Sequence, residues 1–371
     1  MTKEVIYFDN NATTKIDLEV LEAMNSSYKF PLNSSSAHQF GQIAAKHIND
    51  ARAKIANLVN GINYEIILCS GATESNNLAL RGLDNFKIIT FATEHAAVLE
   101  TAKKEDALIL DVKTDGLVDL VELEKTLENQ ESKDFLVSIM IANNETGLIQ
   151  NIKEIAKLTH QYGGLIHSDI TQGVGKIDID LEDLNIDLAS FSAHKIFGPQ
   201  GIGALLVKKP LQINPLIYGG KQEDGKRAGT SNIAGIVGFG EACKLSQENL
   251  ANYQKILELR DYLELKLKEI AGNDVLIFCQ THLRLPNTSF FATKNLDNQT
   301  LMISLDMNNI AVSIGSACSS GVAKSSHVLK AMNIDENTAK TAIRVSLSKD
   351  NSKLEIDKFI NIWQELYNKN N

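Results

Sequence analysis

Ser190-Phe-Ser-Ala-His-Lys-Ile-Phe-Gly-Pro-Gln-Gly-Ile-Gly203 places a lysine, Lys195, where an apolar strand breaks into a glycine-rich turn. A solvated lysine stays protonated, whereas one held against apolar walls and beside other cations loses its charge and becomes a nucleophilic amine able to form a Schiff base. Leu188, Ala189, Phe191 and Ala193 supply such walls, and His194 a polar neighbour. An ordinary surface lysine at a strand end fits this segment equally well, so the flanking chain has to decide.

On either side lie further short apolar runs: Glu65–Ser70, Lys87–Phe91, Ala107–Val112, Phe135–Ile141, Leu165–Ile166, Leu188–Phe191 and Ile202–Val207. Runs this apolar, without alternation, read as strands buried on both faces of a mostly parallel sheet. Helical patterns separate several of them, as at Asn76–Leu83 and Ile152–Tyr162, which is the alternation of an α/β domain with ligands at the carboxyl ends of its strands. A long helical pattern follows, carrying Tyr253, Ile256, Leu257, Leu263, Leu267 and Ile270 at three-to-four-residue intervals. It leads into a smaller domain with strands expected near Val275–Cys279, Asn287–Phe291, Ile310–Ser313 and Ala342–Leu347, and a tail from Tyr367 expected to fray.

A chain of 371 residues, 43% of them hydrophobic, has room for one large and one small domain. Its formal charge of −9 argues against nucleic acid or an anionic membrane as partner. No apolar run approaches the roughly 18 residues of a membrane span. Met1-Thr-Lys-Glu4 lacks the apolar core of a secretory signal, so a cytoplasmic location is expected. Cys69, Cys243, Cys279 and Cys318 form no C-x-x-C pair and the eight histidines no H-E-x-x-H, so free thiols and no catalytic metal are expected.

Several strand ends carry chemistry. Ser70-Gly-Ala-Thr-Glu-Ser75 follows one strand and precedes a helix, offering backbone N–H groups and a hydroxyl as a phosphate site, or simply a helix cap. Thr93-Glu-His95 ends another, where the imidazole can stack on a planar ring or be simply a satisfied polar group. Asp169, in His167-Ser-Asp-Ile-Thr-Gln172, can hold the protonated pyridine nitrogen of pyridoxal phosphate or cap a turn. Each signal is weak alone; phosphate-type turn, histidine, acid and lysine in that order make one coherent site. Cys318 lies in Ser313-Ile-Gly-Ser-Ala-Cys-Ser-Ser-Gly321, a run of small and polar residues that reads as an accessible loop, its thiol either reactive, with Lys324 and His327 as nearby groups to promote the thiolate, or a passive loop cysteine. Arg344 interrupts an apolar strand, where a guanidinium can grip a carboxylate or form a structural ion pair.

Together these segments resemble the cysteine desulfurases of the class V aminotransferase group, fold-type I pyridoxal phosphate enzymes, and specifically the first subgroup with the longer cysteine loop. The likeness runs from Tyr7-Phe-Asp-Asn-Asn-Ala-Thr-Thr14 to Leu347. Its most specific parts are residues 70–75, Asn143-Asn-Glu-Thr-Gly147, residues 190–195, Arg227-Ala-Gly-Thr230 and Gly315-Ser-Ala-Cys-Ser319. It implies a large domain (15–255) with a seven-stranded mostly parallel sheet, and a smaller α+β domain (1–14 with 256–371) carrying the cysteine loop. By the same resemblance Lys195 is the Schiff-base lysine, His95 stacks on the pyridine ring, Asp169 pairs with its nitrogen, and Gln172 bonds the ring oxygen. Ala72, Thr73, Ser192 and His194 hold the phosphate, and Thr230 reaches the phosphate of a neighbouring subunit in a homodimer. Asn144 and Arg344 match the positions that handle the cofactor edge and the substrate carboxylate.

The implied reaction removes sulfur from L-cysteine, giving L-alanine and a persulfide on Cys318 destined for an iron–sulfur scaffold or another acceptor protein. Competing readings are a selenocysteine lyase or other class V aminotransferase, which would not need Cys318, and a catalytically silent sulfur carrier. The chain departs from the family pattern at Tyr218-Gly-Gly-Lys-Gln-Glu-Asp224, at Ser34 and at Ile314, and its end after Leu347 is short for docking an iron–sulfur scaffold.

Overall fold

In β2 (Tyr64–Cys69), Ile66 and Leu68 face one apolar core while Ile67 and Cys69 face another, the two-residue period of a strand buried on both sides. The computed structural model describes residues 5–315 and 326–370. Its strands are β1 (Ile6–Tyr7), β2, β3 (Lys87–Phe91), β4 (Leu108–Leu110), β5 (Phe135–Met140), β6 (Leu165–Asp169), β7 (Leu188–Ser192), β8 (Gly203–Lys208), β9 (Val275–Ile277), β10 (Thr288–Thr293), β11 (Ile310–Ala311) and β12 (Ala342–Ser346). Seven form one sheet in the order β2-β8-β7-β6-β5-β3-β4. β8 runs antiparallel to both its neighbours and the other pairings are parallel. The carboxyl ends of β2, β3, β5, β6 and β7 therefore share one edge, with the start of β8 among them.

One face of the sheet is covered by helices Leu18–Ser27, Gln39–Leu58, Ile152–Gln161 and Ile233–Asn249, through Val20, Ile55, Ile155 and Phe239. The other is covered by helices Ala72–Arg81 and Ala96–Lys104, through Leu78 and Val98. The central strands need such cover because β5 and β7 are buried at every position. The helix expected at Asn76–Leu83 starts four residues earlier, at Ala72, directly after the glycine that ends the β2 turn.

After helix Tyr253–Ala271 the chain builds a three-stranded antiparallel sheet, β12-β10-β9, while β1 pairs in parallel with β11. Phe8, Ile256, Leu263, Phe291, Phe359 and Trp363 pack into a second core behind them. The N-terminal segment is thus pinned here before it crosses to the large sheet, where Thr14 N–H donates to His194 O at 3.0 Å. The tail does not fray as expected: helix Lys353–Asn370 continues through it. Tyr367 stacks on Trp363 four residues earlier, and its hydroxyl donates to Asp274 at 2.9 Å. No helix among the described residues is long and apolar enough to cross a membrane.

Candidate active site

A cavity of 910 Å³ opens at the shared edge of the large sheet. Ala72, Thr73, His95, Asn144, Asp169, Gln172, Ser192, His194, Lys195 and Arg344 all line it, so ten of the residues singled out from sequence meet in one place. Thr230 does not line it and is exposed. Cys318 and Lys324 lie outside the described residues. His327 lines the cavity, its Nε2–H donating to Glu94 O at 2.9 Å.

β2 is followed by Ser70-Gly71, and the helix begins at Ala72 with Gly71 as its N-cap and no side-chain cap hydrogen bond among the described residues. Thr73 is therefore inside the first turn rather than the cap. Glu74 is drawn aside to Arg227 Nε at 2.8 Å and to Ser70 N–H at 2.7 Å, and although burial works the other way these bonds hold its carboxyl below the usual glutamate range. What the turn offers the cavity is a helix N-terminus, a natural anion seat. In the wall of the same cavity, at the end of β7, Ser192 Oγ is buried with no hydrogen-bond partner among the described residues. Gly203 opens β8 between these two ends, paired with both Cys69 and Ser192; a Cβ there would sit 2.7 Å from Phe191 O and 2.8 Å from Gly71 Cα. Only glycine lets the two strand ends approach this closely.

His95 follows β3 and caps helix Ala96–Lys104, its Nδ1 accepting from Ala97 N–H at 3.1 Å, which leaves the proton on Nε2. Asp169 ends β6; its Oδ1 accepts from Thr171 N–H at 3.0 Å as a turn cap, and the residue also lines the cavity. Its Oδ2 takes a 2.7 Å bond from the buried Asn76. Just behind it, burial pushes His167 down to about 4, a neutral ring bridging Ser138 and Ser190. Burial likewise carries the Glu94 carboxyl well above its ordinary range, with Asp169 adding to the effect.

Lys195 stands one turn beyond β7. Its Nζ donates to Asn11 O at 2.6 Å and Ala12 O at 2.5 Å, so the crossing N-terminal segment positions it. His194, pushed down to about 4 by burial and then by Lys195, contacts Thr13 Oγ1 at 3.1 Å. Arg344, in the middle of β12, is 2% exposed; it pairs with Asp9 at 2.6 Å and donates to Asn144 O at 2.9 Å. The structural ion pair weighed for it is thus present, alongside its place in the cavity wall.

Sequence reasoning missed Asn11, Lys176 and Glu145. Asn11 is a hub: besides the Lys195 bond, its carbonyl accepts from Gln172 Nε2 at 3.0 Å, and its side chain bonds Asn144 O, Thr288, Asn287 and Lys176. Its signal was its place in the Asn-Asn-Ala-Thr-Thr motif, whose segment has no strand neighbours until the chain folds back. Glu145 is fully buried in the cavity wall and accepts from Ser326 Oγ at 2.5 Å. Among the departures from the family pattern, Glu223 accepts from Arg52 at 2.7 Å and from Leu68 N–H at 2.9 Å, covering the free edge of β2, while Asp224 is exposed. Cys69 and Cys243 are buried and unbridged, and Cys279 is half-buried and unbridged. No cluster of three metal-ligating side chains exists among the described residues.

Residues 6–359 match the family model of the class V aminotransferases. The cysteine desulfurase IscS of Dictyoglomus turgidum is 38% identical over 380 residues, covering 99% of this chain and 95% of the relative. A NifS-like protein from Rickettsia africae superposes with a TM-score of 0.92 at 39% identity, over 98% of this chain and 100% of that one. SspA, solved in complex with cysteine, superposes at 0.79 with 32% identity over 92% of this chain and 98% of its own. With near-complete coverage at these identities, on a fold whose strand ends gather the same motifs around one cavity, the chain belongs to the class V aminotransferase family and, within it, to the cysteine desulfurases.

Proposed function

We propose that this protein binds pyridoxal 5′-phosphate in the 910 Å³ cavity and uses it to remove sulfur from L-cysteine. The observation that carries the reading is the buried Ser192 Oγ and the helix N-terminus at Ala72, the one without a hydrogen-bond partner and the other without a side-chain cap among the described residues, in one cavity with Lys195 and Asp169. Those groups fit the cofactor: a buried hydroxyl and free amides suit a phosphate, a carboxylate suits a pyridinium nitrogen, and an amine suits an aldehyde carbon. Ala72, Thr73, Ser192 and His194 would hold the phosphate, Asp169 the ring nitrogen, Gln172 the ring oxygen, and His95 would stack on the ring. When bound, the cofactor supplies an electron sink that acidifies the Cα–H of an amino acid.

The remaining steps are performed by the chain. Arg344 and Asn144 receive the substrate carboxylate; Asp9 and the Asn144 carbonyl already orient the guanidinium. Lys195, as a free amine, would move the proton at the substrate Cα. Cys318, assigned from its sequence motif, attacks the substrate sulfur as a thiolate. A sulfur–sulfur bond forms, the carbon–sulfur bond breaks, and its electron pair stays with the carbon skeleton, which leaves after protonation as L-alanine. The persulfide on Cys318 then goes to an acceptor protein, an iron–sulfur scaffold or another carrier.

The same reading takes residues 15–255 as the cofactor-binding unit and 1–14 with 256–371 as the smaller one, in keeping with the two cores, although Phe278, Phe290 and Val328 of the second pack into the core of the first. Thr230, exposed and not lining its own cavity, suits a residue that serves a second copy in a cytoplasmic homodimer.

The test is alanine and sulfide release from L-cysteine with a thiol reductant, comparing wild type with Cys318→Ala and Lys195→Ala. Both variants should fall to background, and Lys195→Ala should lose the visible absorbance of the bound cofactor. Full sulfide release by Cys318→Ala would instead indicate a lyase that needs no thiol attack.

A further inference from the structure

Lys176 is 3% exposed and does not line the cavity, yet its amine bonds two residues that meet Lys195 or the cavity directly. Its Nζ donates to Gln172 Oε1 at 2.7 Å and to Asn11 Oδ1 at 3.2 Å. Burial, with Lys195 and Arg344 adding to it, holds this amine well below the usual lysine range. The amine thus has two acceptors within hydrogen-bond distance.

The orientation of these amides follows from atoms that cannot change role. A backbone carbonyl only accepts, so Asn11 Nδ2 must be the end facing Asn144 O at 3.2 Å, and Oδ1 must be the end facing Lys176 and Asn287. Gln172 Nε2 must likewise be the end facing Asn11 O, at 3.0 Å, which turns Oε1 toward Lys176. A carboxamide can rotate by half a turn and exchange donor for acceptor. Gln172 cannot do so while both contacts stand, and it lines the cavity with a second N–H that neither contact uses.

We propose that Lys176 is a positioning residue: it clamps the Gln172 carboxamide, jointly with Asn11, so that a donor rather than an acceptor is presented to the ring oxygen of the bound cofactor. The proposal rests on the cofactor reading above. Without Lys176, Oε1 is left buried without its donor and the carboxamide keeps a single tether. It then swings or flips, and the ring oxygen loses its hydrogen bond.

The experiment titrates pyridoxal phosphate into apo protein and reads the Kd and the wavelength of the visible band, with the apo Tm measured alongside. The set is wild type, Lys176→Met, Lys176→Gln, Gln172→Ala and the Lys176→Met/Gln172→Ala double variant. Lys176→Met should bind about tenfold more weakly, the worth of roughly one hydrogen bond, with a displaced band. Lys176→Gln, which keeps an N–H on a shorter side chain, should fall between it and wild type, and it carries the test if Lys176→Met does not fold. The double variant should bind no worse than Gln172→Ala alone, because the two residues act through one contact. Multiplying losses, or a wild-type Kd and band in the Lys176 variants, would overturn the clamp while leaving the cofactor site standing. A wild-type protein that gives no saturable visible band removes the cofactor reading itself, and the clamp with it.

Discussion

Ser192→Ala separates what a buried hydroxyl does for folding from what it does for binding. Ser192 is 1% exposed and its Oγ has no partner among the described residues, so in the apo protein it is a desolvated polar group that costs about 1–3 kcal/mol. Alanine removes that cost and keeps the strand pairing with Gly203. Unfolding entropy near 2.1 cal/mol/K per residue makes about 0.8 kcal/mol/K for 371 residues, so the apo Tm should rise by about 1–4 °C. Binding should move the opposite way. A hydrogen bond to a charged acceptor is worth about 1.5–3 kcal/mol, so the Kd for pyridoxal phosphate should rise about 10- to 150-fold. Differential scanning calorimetry of apo protein and absorbance titration of the cofactor read the two effects independently. A lower apo Tm together with an unchanged Kd would mean that Ser192 is a structural hydroxyl and that the phosphate sits elsewhere.

Gly203→Ala should do the reverse of a stabilising change: its Cβ meets backbone atoms of Phe191 and Gly71, so it should both lower Tm and weaken cofactor binding, and a variant with wild-type values would refute the close approach. His167 and His194 have folded values near 4 against 6.5 for a free histidine, so the unfolded chain takes up the extra protons. Their contribution to stability is complete above about pH 6.5 and is lost as pH falls through about 4. The urea midpoint should therefore drop between pH 7 and pH 5, and less steeply in His167→Asn; equal slopes would refute the assignment. Glu264 and Arg284 form a bidentate pair at 2.7 and 2.9 Å with both side chains almost wholly buried. Glu264→Leu alone should cost about 3–5 kcal/mol by stranding the guanidinium, and adding Arg284→Met should recover most of it; a double variant no more stable than the single would show that the pair itself is what stabilises.

Much of the large sheet could be read along the chain because a strand buried on both faces must be apolar at nearly every position, as in Phe135–Met140 and Leu188–Ser192, whatever its neighbours are. The residues at those strand ends were legible for a related reason: Thr73, His95, Asp169 and Lys195 interrupt apolar runs, and a polar group in such a place needs an explanation in its own segment. Strand order, the reversed β8, and the meeting of these ends at one cavity come from pairings between segments distant in sequence, which no local pattern contains. The same holds for the partners that tune the site. Asn11 touches Lys195 and Gln172 only after the N-terminal segment crosses between the two cores, and the Lys176 amine is driven toward its neutral form only once folding removes it from water beside other cations. Side-chain chemistry and periodicity belong to the chain itself, whereas contact and desolvation exist only in the folded molecule, and they decide what each of these groups can do.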